Sequence, residues 1–320
     1  MPPHVCRAQP ARRAPVERGT IIVWVMTRRS TLRCLCTAIL AAVVLGGCVT
    51  VPQRQYALVS LAQGSVATRT AALCSDPQVW AATAAGTDED HTTSALDAAR
   101  LAIVSWNLHK QQDDGWREEL GRLSEQSDLL LLQEAALTPE LSAALAEARY
   151  VWVLASSFVF DGTDFGVVIA ARVRPVSFCT GRAFEPLLGI PKSLLVAQFP
   201  VAGAKATLAV ATIHALNFTF DLEPYRAQLD SLREALARHT GPIVLAGDFN
   251  TWSEARRQSV DVLAHSLMLT PVAFPLDDRS RFFGRPADWA YVRDADILGA
   301  IALKVTSSDH NPLLVTLRLR

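Results

Sequence analysis

The chain has 320 residues, 50% of them hydrophobic and 19% charged. That balance excludes a globally disordered chain and provides enough apolar side chain for one large core. The formal charge of zero hides an asymmetry, because residues 1–47 hold seven arginines against Glu17, leaving 24 bases, 30 acids and a balance of −6 for the rest; bulk electrostatic attraction to duplex nucleic acid is thereby excluded.

In chain order, the first organised stretch is MTRRSTLRCLCTAILAAVVLGGC, residues 26–48. Arg28, Arg29 and Arg33 precede an apolar run from Leu35 to Leu45, which is too short for a standard membrane span, and small residues lead to Cys48. This order is that of an export signal, and Leu45-Gly46-Gly47-Cys48 resembles the lipobox of bacterial lipoproteins. The expectation is a presequence over residues 1–47, removed on export, and a lipidated Cys48 holding the protein at a membrane that faces the periplasm or the cell surface. An uncleaved anchor is the alternative and also places the domain outside the cytoplasm. Met26 stands where such a signal normally starts, and Thr27-Arg28-Arg29 with Leu32 also resembles a twin-arginine signal, with Thr31 in place of the usual aromatic residue.

Residues 48–98 are rich in Ala, Thr and Ser without sustained periodicity and read as a tether and lead-in. Cys6, Cys34, Cys36 and Cys48 fall in or at the end of the presequence, so Cys74 and Cys179 are the thiols left to the mature chain. An oxidising compartment permits a bridge between them. The sequence leaves both a disulfide and two buried free thiols open.

Residues 99–320 read as one catalytic-size domain. Short apolar runs at residues 101–106, 129–134, 165–172, 194–199, 207–214 and 242–248 predict strands, several apolar throughout and so covered on both faces. WREELGRL spaces Trp116, Leu120 and Leu123 as a helix does, and EPYRAQLDSLREALARH repeats the pattern with Tyr225, Leu229, Leu232 and Leu236. Pro224 fits a first helical turn. The prediction is an α/β domain with strands inside and helices outside.

The strands share a way of ending. Asn107, Glu134, His214, Asp248 and Asn250 each follow or close an apolar run. Turn chemistry, with Gly247 easing a bend before Asp248, explains any one of these. Five together point to groups mounted on the loop ends of a rigid sheet.

Trp106-Asn107, Gln133-Glu134, His214, Gly247 to Asn250 (GDFN), Asp288 in ADWAYVR and Ser308 to Pro312 (SDHNP) occur in an order that resembles the endonuclease/exonuclease/phosphatase superfamily over about residues 101–320. The resemblance implies a four-layer α/β/β/α sandwich, two packed mixed sheets with helices outside. It implies hydrolysis of a phosphoester with a divalent cation, Mg2+ or Mn2+, held by hard oxygen ligands. Carried onto this chain, Glu134 is the principal metal ligand, with Asn107 and Asp309 in support. Asp248 and Asn250 orient and deprotonate the attacking water, His214 binds the phosphate, and His310 meets the scissile phosphate with Asp288 holding its ring.

The tyrosine that contacts phosphate in abasic-site enzymes has no counterpart here, since Phe158 and Phe165 lack the hydroxyl. Phe218, Phe220, Trp252, Phe282 and Phe283 lie near the motifs and suit a base, an acyl chain or simple rim packing. Lys110, Arg279, Arg281 and Arg285 are the candidate phosphate cations. For an expected monomer the first expectation is a nuclease, and a phospholipid or small-molecule phosphodiesterase or phosphatase is the alternative. A non-catalytic binding lipoprotein is disfavoured, because it has no use for the complete set of acids and histidines.

Overall fold

Strands that are apolar on both faces need cover on both faces, and the architecture supplies it. The computed structural model describes residues 49–61, 65–76 and 95–320; the export segment and Cys48 lie outside the described residues. With the two-residue strands left unlabelled, the first half holds β1 (Tyr56–Ser60), β2 (Val66–Thr70), β3 (Leu101–Asn107), α1 (Trp116–Ser124), β4 (Leu129–Ala136), α2 (Pro139–Glu147), β5 (Val151–Phe160) and β6 (Thr163–Ala171). The second half holds β7 (Ser177–Phe184), β8 (Pro191–Phe199), β9 (Leu208–His214), α3 (Glu223–Ala237), β10 (Ile243–Asp248), α4 (Glu254–Ser266), β11 (Asp288–Arg293), β12 (Ala295–Ala302) and β13 (Leu313–Leu319).

One sheet has nine strands in the order β12-β13-β3-β4-β6-β5-β1-β2, with Val49–Thr50 also pairing β5. The other has seven and runs Thr270–Pro271, β11, β10, β9, β8, β7, Ala72–Leu73. Both are mixed: β3 and β4 pair in parallel, as do β9 and β10. Each of these parallel pairs is joined by a helical crossover, α1 in the first and α3 in the second, as parallel pairing requires.

Alternation along the strands sorts side chains into layers. Leu129 and Leu131 point between the sheets and meet a core that includes Leu195, Val210 and Val244. Leu130 and Leu132 point outward, into a second cluster with Leu120 and Leu123 of α1 and Leu141 and Leu145 of α2. On the far side, Ala211 and Leu245 pack with Tyr225, Leu229, Leu232 and Leu236 of α3 and Val260 and Leu263 of α4. The result is the expected four-layer α/β/β/α sandwich.

The lead-in differs from a loose tether. Ala57 and Leu58 are buried, and β1 extends the nine-stranded sheet through the register Ala57↔Ala155. Ala72–Leu73 adds to β7 of the other sheet. Cys74 and Cys179 form a disulfide with a Cα–Cα distance of 5.0 Å, which decides the alternative left open above.

Candidate active site

The C-terminal ends of β3, β4, β9 and β10 carry Asn107, Glu134, His214 and Asp248. The two sheets meet here through a side-chain bond, Asn107 Nδ2 donating to Asp248 Oδ2 at 3.1 Å. Asp248 Oδ1 accepts from the backbone N–H of Asn250 at 3.0 Å, and Asn250 Nδ2 donates to the Ala215 carbonyl at 2.9 Å. Gly247 serves this corner by close approach rather than by a bend, since it lies within the parallel pairing and an added Cβ would stand 2.3 Å from the Ile213 carbonyl oxygen.

Left-handed backbone gathers here in residues that avoid it elsewhere. Glu134 (φ 48°) lies at a register shift in β4, Asn250 has φ 51°, and His109, Lys110 and Gln111 follow one another at 46°, 58° and 57°. Each such non-glycine residue costs about 1–2 kcal/mol, so the turn needs anchors. Gln111 clasps Ala136, donating to its carbonyl and accepting from its N–H at 3.0 Å each, and Asn107 Oδ1 accepts from the His109 N–H at 3.0 Å. The turn thereby sets the Lys110 ammonium against Glu134.

Glu134 is ringed by nitrogen. Besides Lys110, Lys192 Nζ and His214 Nε2 each lie 3.5 Å from its Oε1. Burial works to raise the Glu134 pKa, but the charges of Lys192, His214 and Lys110 outweigh it and hold the carboxyl well below its ordinary value. His214 shifts down to about 3, through burial first and the neighbouring Lys192 ammonium second. It is therefore a neutral ring at physiological pH. Lys192 Nζ lies 2.8 Å from His214 Nε2.

The second histidine behaves oppositely. Asp288 opens β11 directly across from Asp248 in the ladder, and its Oδ2 lies 2.7 Å from His310 Nδ1. Burial alone would lower the His310 pKa; the carboxylates of Asp288 and Asp248 reverse that and push it up to about 10. His310 is thus an imidazolium whose Nδ1–H donates to Asp288 and whose Nε2 lies 3.9 Å from Asp248 Oδ2. Its backbone is tied to the WN motif: Ser308 Oγ donates to the Asn107 carbonyl at 2.7 Å and accepts from the His310 N–H at 3.1 Å, while Trp106 Nε1 donates to the His310 carbonyl at 2.9 Å.

The expected residues therefore converge, with one exception. Asp309 lies at the open edge, its side chain 48% exposed with Oδ1 3.8 Å from His109 Nδ1, where its charge adds to those that raise the His310 pKa. All four candidate cations are engaged by acids, Arg279 and Arg281 by Asp277, Arg285 by Glu254 and Lys110 by Glu134, so Lys110 alone of that set stands at Glu134. Lys192 belongs at the site and escaped the sequence reading; its one signal is that it is the single charge in the mostly apolar strand PKSLLVAQF. Around the rim, Phe220 and Phe283 are 81% and 84% exposed, Trp252 meets Phe283 edge-on at 6.1 Å, and Phe282 lies 5.5 Å from the His310 ring.

Two groups offer metal-ligand chemistry. Asp248, Asp288 and His310 place ligand atoms within 4.8 Å of one another, but His310 is cationic and spends Nδ1 on Asp288, which opposes a second cation. Glu134 offers Mg2+ a hard carboxylate for which the Lys110 and Lys192 ammoniums compete, and Asn107 Oδ1 keeps one lone pair beyond its bond to His109.

At the ends of its parallel strands this four-layer sandwich gathers acids and imidazoles, with two half-buried lysines beside them, a charged corner suited to anionic esters. Residues 104–310 match the model of the Endonuclease/Exonuclease/phosphatase family, and the chain belongs to that family, whose members hydrolyse phosphoester bonds. It is 39% identical over 218 residues to a UPF0294 protein of Yersinia pseudotuberculosis, covering 68% of this chain and 84% of that relative. Among solved structures, an endonuclease/exonuclease/phosphatase protein of Beutenbergia cavernae aligns with a TM-score of 0.56 at 20% identity over 69% of this chain and 72% of its own. The human Nocturnin catalytic domain aligns with a TM-score of 0.56 at 16% identity over 71% and 97%. At these identities the structural likeness is one of fold.

Proposed function

We propose that this protein is a divalent-metal-dependent phosphodiesterase, in the first instance a nuclease, exported and held at a membrane by lipid on Cys48. The observation that carries the catalytic reading is the chain of contacts Asn107–Asp248–His310–Asp288, which sets a carboxylate base and an imidazolium acid 3.9 Å apart. Asp248, fixed by Asn107 and the Asn250 N–H, takes the proton of the attacking water. His310, oriented by Asp288, donates from Nε2 to the scissile phosphate and stabilises the charge that develops there. Glu134 with Asn107 would hold Mg2+ or Mn2+, which when bound neutralises phosphoryl oxygen charge as a Lewis acid.

A phospholipid-directed enzyme is the second reading, favoured by the exposed Phe283 next to Phe282, whose ring lies 5.5 Å from His310, and by the proposed anchor. Purified whole protein with Mg2+ should be tested on plasmid DNA, RNA, phospholipid vesicles and bis-nitrophenyl phosphate. Nicked plasmid with intact lipid supports the nuclease, and the reverse supports the lipid enzyme. Full activity after exhaustive chelation, or inertness towards every substrate, overturns the reading.

Export is supported by the disulfide, because such bridges persist in oxidising compartments. Lipidation predicts that Cys48→Ser releases the protein from the membrane fraction or blocks processing, since stable anchoring needs more than one acyl chain. Unchanged fractionation and mass would refute it.

A further inference from the structure

We propose that Lys192 is a substrate-binding residue whose ammonium, seated between His214 and Glu134, contacts a nonbridging oxygen of the phosphoryl group. The assignment rests on the phosphoester reading above and gives the phosphate-binding role expected of His214 to its neighbour.

Strand register brings the lysine there. β8 and β9 are antiparallel with Leu194 opposite Ile213, so the head of β8 lies along the end of β9, where His214 projects. The Lys192 side chain is 20% exposed, and its Nζ lies 2.8 Å from His214 Nε2 and 3.5 Å from Glu134 Oε1. An ammonium has three donors and no acceptor. His214 Nε2 must therefore accept, and it has no proton to offer a phosphate oxygen while Lys192 occupies that position. On the Nε2 side of the ring both the donor and the charge belong to the lysine.

Charge matching points the same way. Lys110 and Lys192 converge on one carboxylate, Glu134, so neither ammonium has a carboxylate of its own. A lysine placed only to neutralise Glu134 would duplicate Lys110, and burying an ammonium carries a desolvation cost that a bare structural role does not offset. Its two recorded partners leave a third N–H for a ligand, and a phosphate oxygen suits a compact ammonium.

The test measures binding of inorganic phosphate by titration calorimetry to wild type, Lys192→Met and Lys192→Arg, each as whole protein, together with thermal unfolding and hydrolysis of bis-nitrophenyl phosphate. Lys192→Met should weaken phosphate binding by about tenfold or more, the loss expected of one charge-assisted hydrogen bond. Its kcat should fall on the order of 10² to 10³, as for one lost electrostatic donor. The Mg2+ concentration for half-maximal rate should hold or fall, because an ammonium competing for Glu134 has gone. Lys192→Arg should retain most of the phosphate affinity. Wild-type phosphate affinity in Lys192→Met, absence of phosphate binding by wild type, or equal loss in both variants with a lowered unfolding temperature would each overturn the proposal. Phosphate binding that depends on Lys192 in a protein that cleaves no ester would instead uphold this assignment and sink the phosphoesterase reading.

Discussion

His214 and His310 are both buried and both lie near Asp248, yet they take opposite charge states. Distance and sign decide it: His310 has the Asp288 carboxylate at 2.7 Å, whereas His214 has an ammonium at 2.8 Å and its carboxylates only at 3.5 Å. The folded His310 value is raised to about 10 above a reference of 6.5. Its stabilising contribution is therefore complete below pH 6.5 and is lost as pH rises through about 10. Any rate that depends on the imidazolium follows the same limb. Asp288→Asn removes the main raising charge, so the alkaline limb of kcat/KM on bis-nitrophenyl phosphate should move towards neutrality, with a loss on the order of 10²-fold or more near pH 8. A pH profile that keeps its alkaline limb in Asp288→Asn would show that His310 does not act as a cation. The gathering of these residues was legible in the sequence, His214 and Asp248 from their place at the ends of apolar runs and Asp288 and His310 from the order of motifs in the family resemblance. Lys192 was not legible, because its meeting with His214 depends on the register of two strands.

Among the elements, legibility followed periodicity and failed where other signals had to be read. The six predicted strands and the helices at Trp116 and Tyr225 all form. Helix α2 was missed although Thr138 caps it, its side chain accepting from the Leu141 N–H at 3.2 Å, with Pro139 next; α4 is capped in the same way by Ser253. Both are short helices in which the cap was a clearer signal than the apolar spacing. Strand β5 was missed too, although Asp161-Gly162 before β6, with φ values of 47° and 77°, carries the residues of a tight hairpin turn. The left-handed turn at His109 to Gln111 had no such marker. It contains no glycine, and it exists because Gln111 reaches Ala136 on a strand 25 residues away. Gly247 shows the converse: its presence was plain, but its reason lies in the Ile213 carbonyl of the adjacent strand.

Across the whole molecule, the lead-in acts as a staple. β1 and β2 extend the edge of the nine-stranded sheet, Ala72–Leu73 extends the edge of the seven-stranded sheet, and Cys74 then bonds Cys179 on β7. One short stretch of chain thus ties both sheets at the same end, and the covalent link closes a span of 105 residues. A long closed loop restricts the unfolded chain strongly, and a native bridge of this kind contributes about 2–4 kcal/mol. Both sulfurs lie in the apolar layer between the seven-stranded sheet and its helices, where serine hydroxyls would need partners, so the paired change Cys74→Ala with Cys179→Ala isolates the covalent term better than serine does. In urea titrations the paired variant should unfold with a stability lower by about 2–4 kcal/mol, while its activity per folded molecule stays at the wild-type level, because none of the site contacts described above passes through either cysteine. Reductant should shift wild type to the midpoint of the variant and leave the variant where it is. If wild type holds its midpoint after full reduction, or the paired variant matches oxidised wild type, the staple does not govern stability.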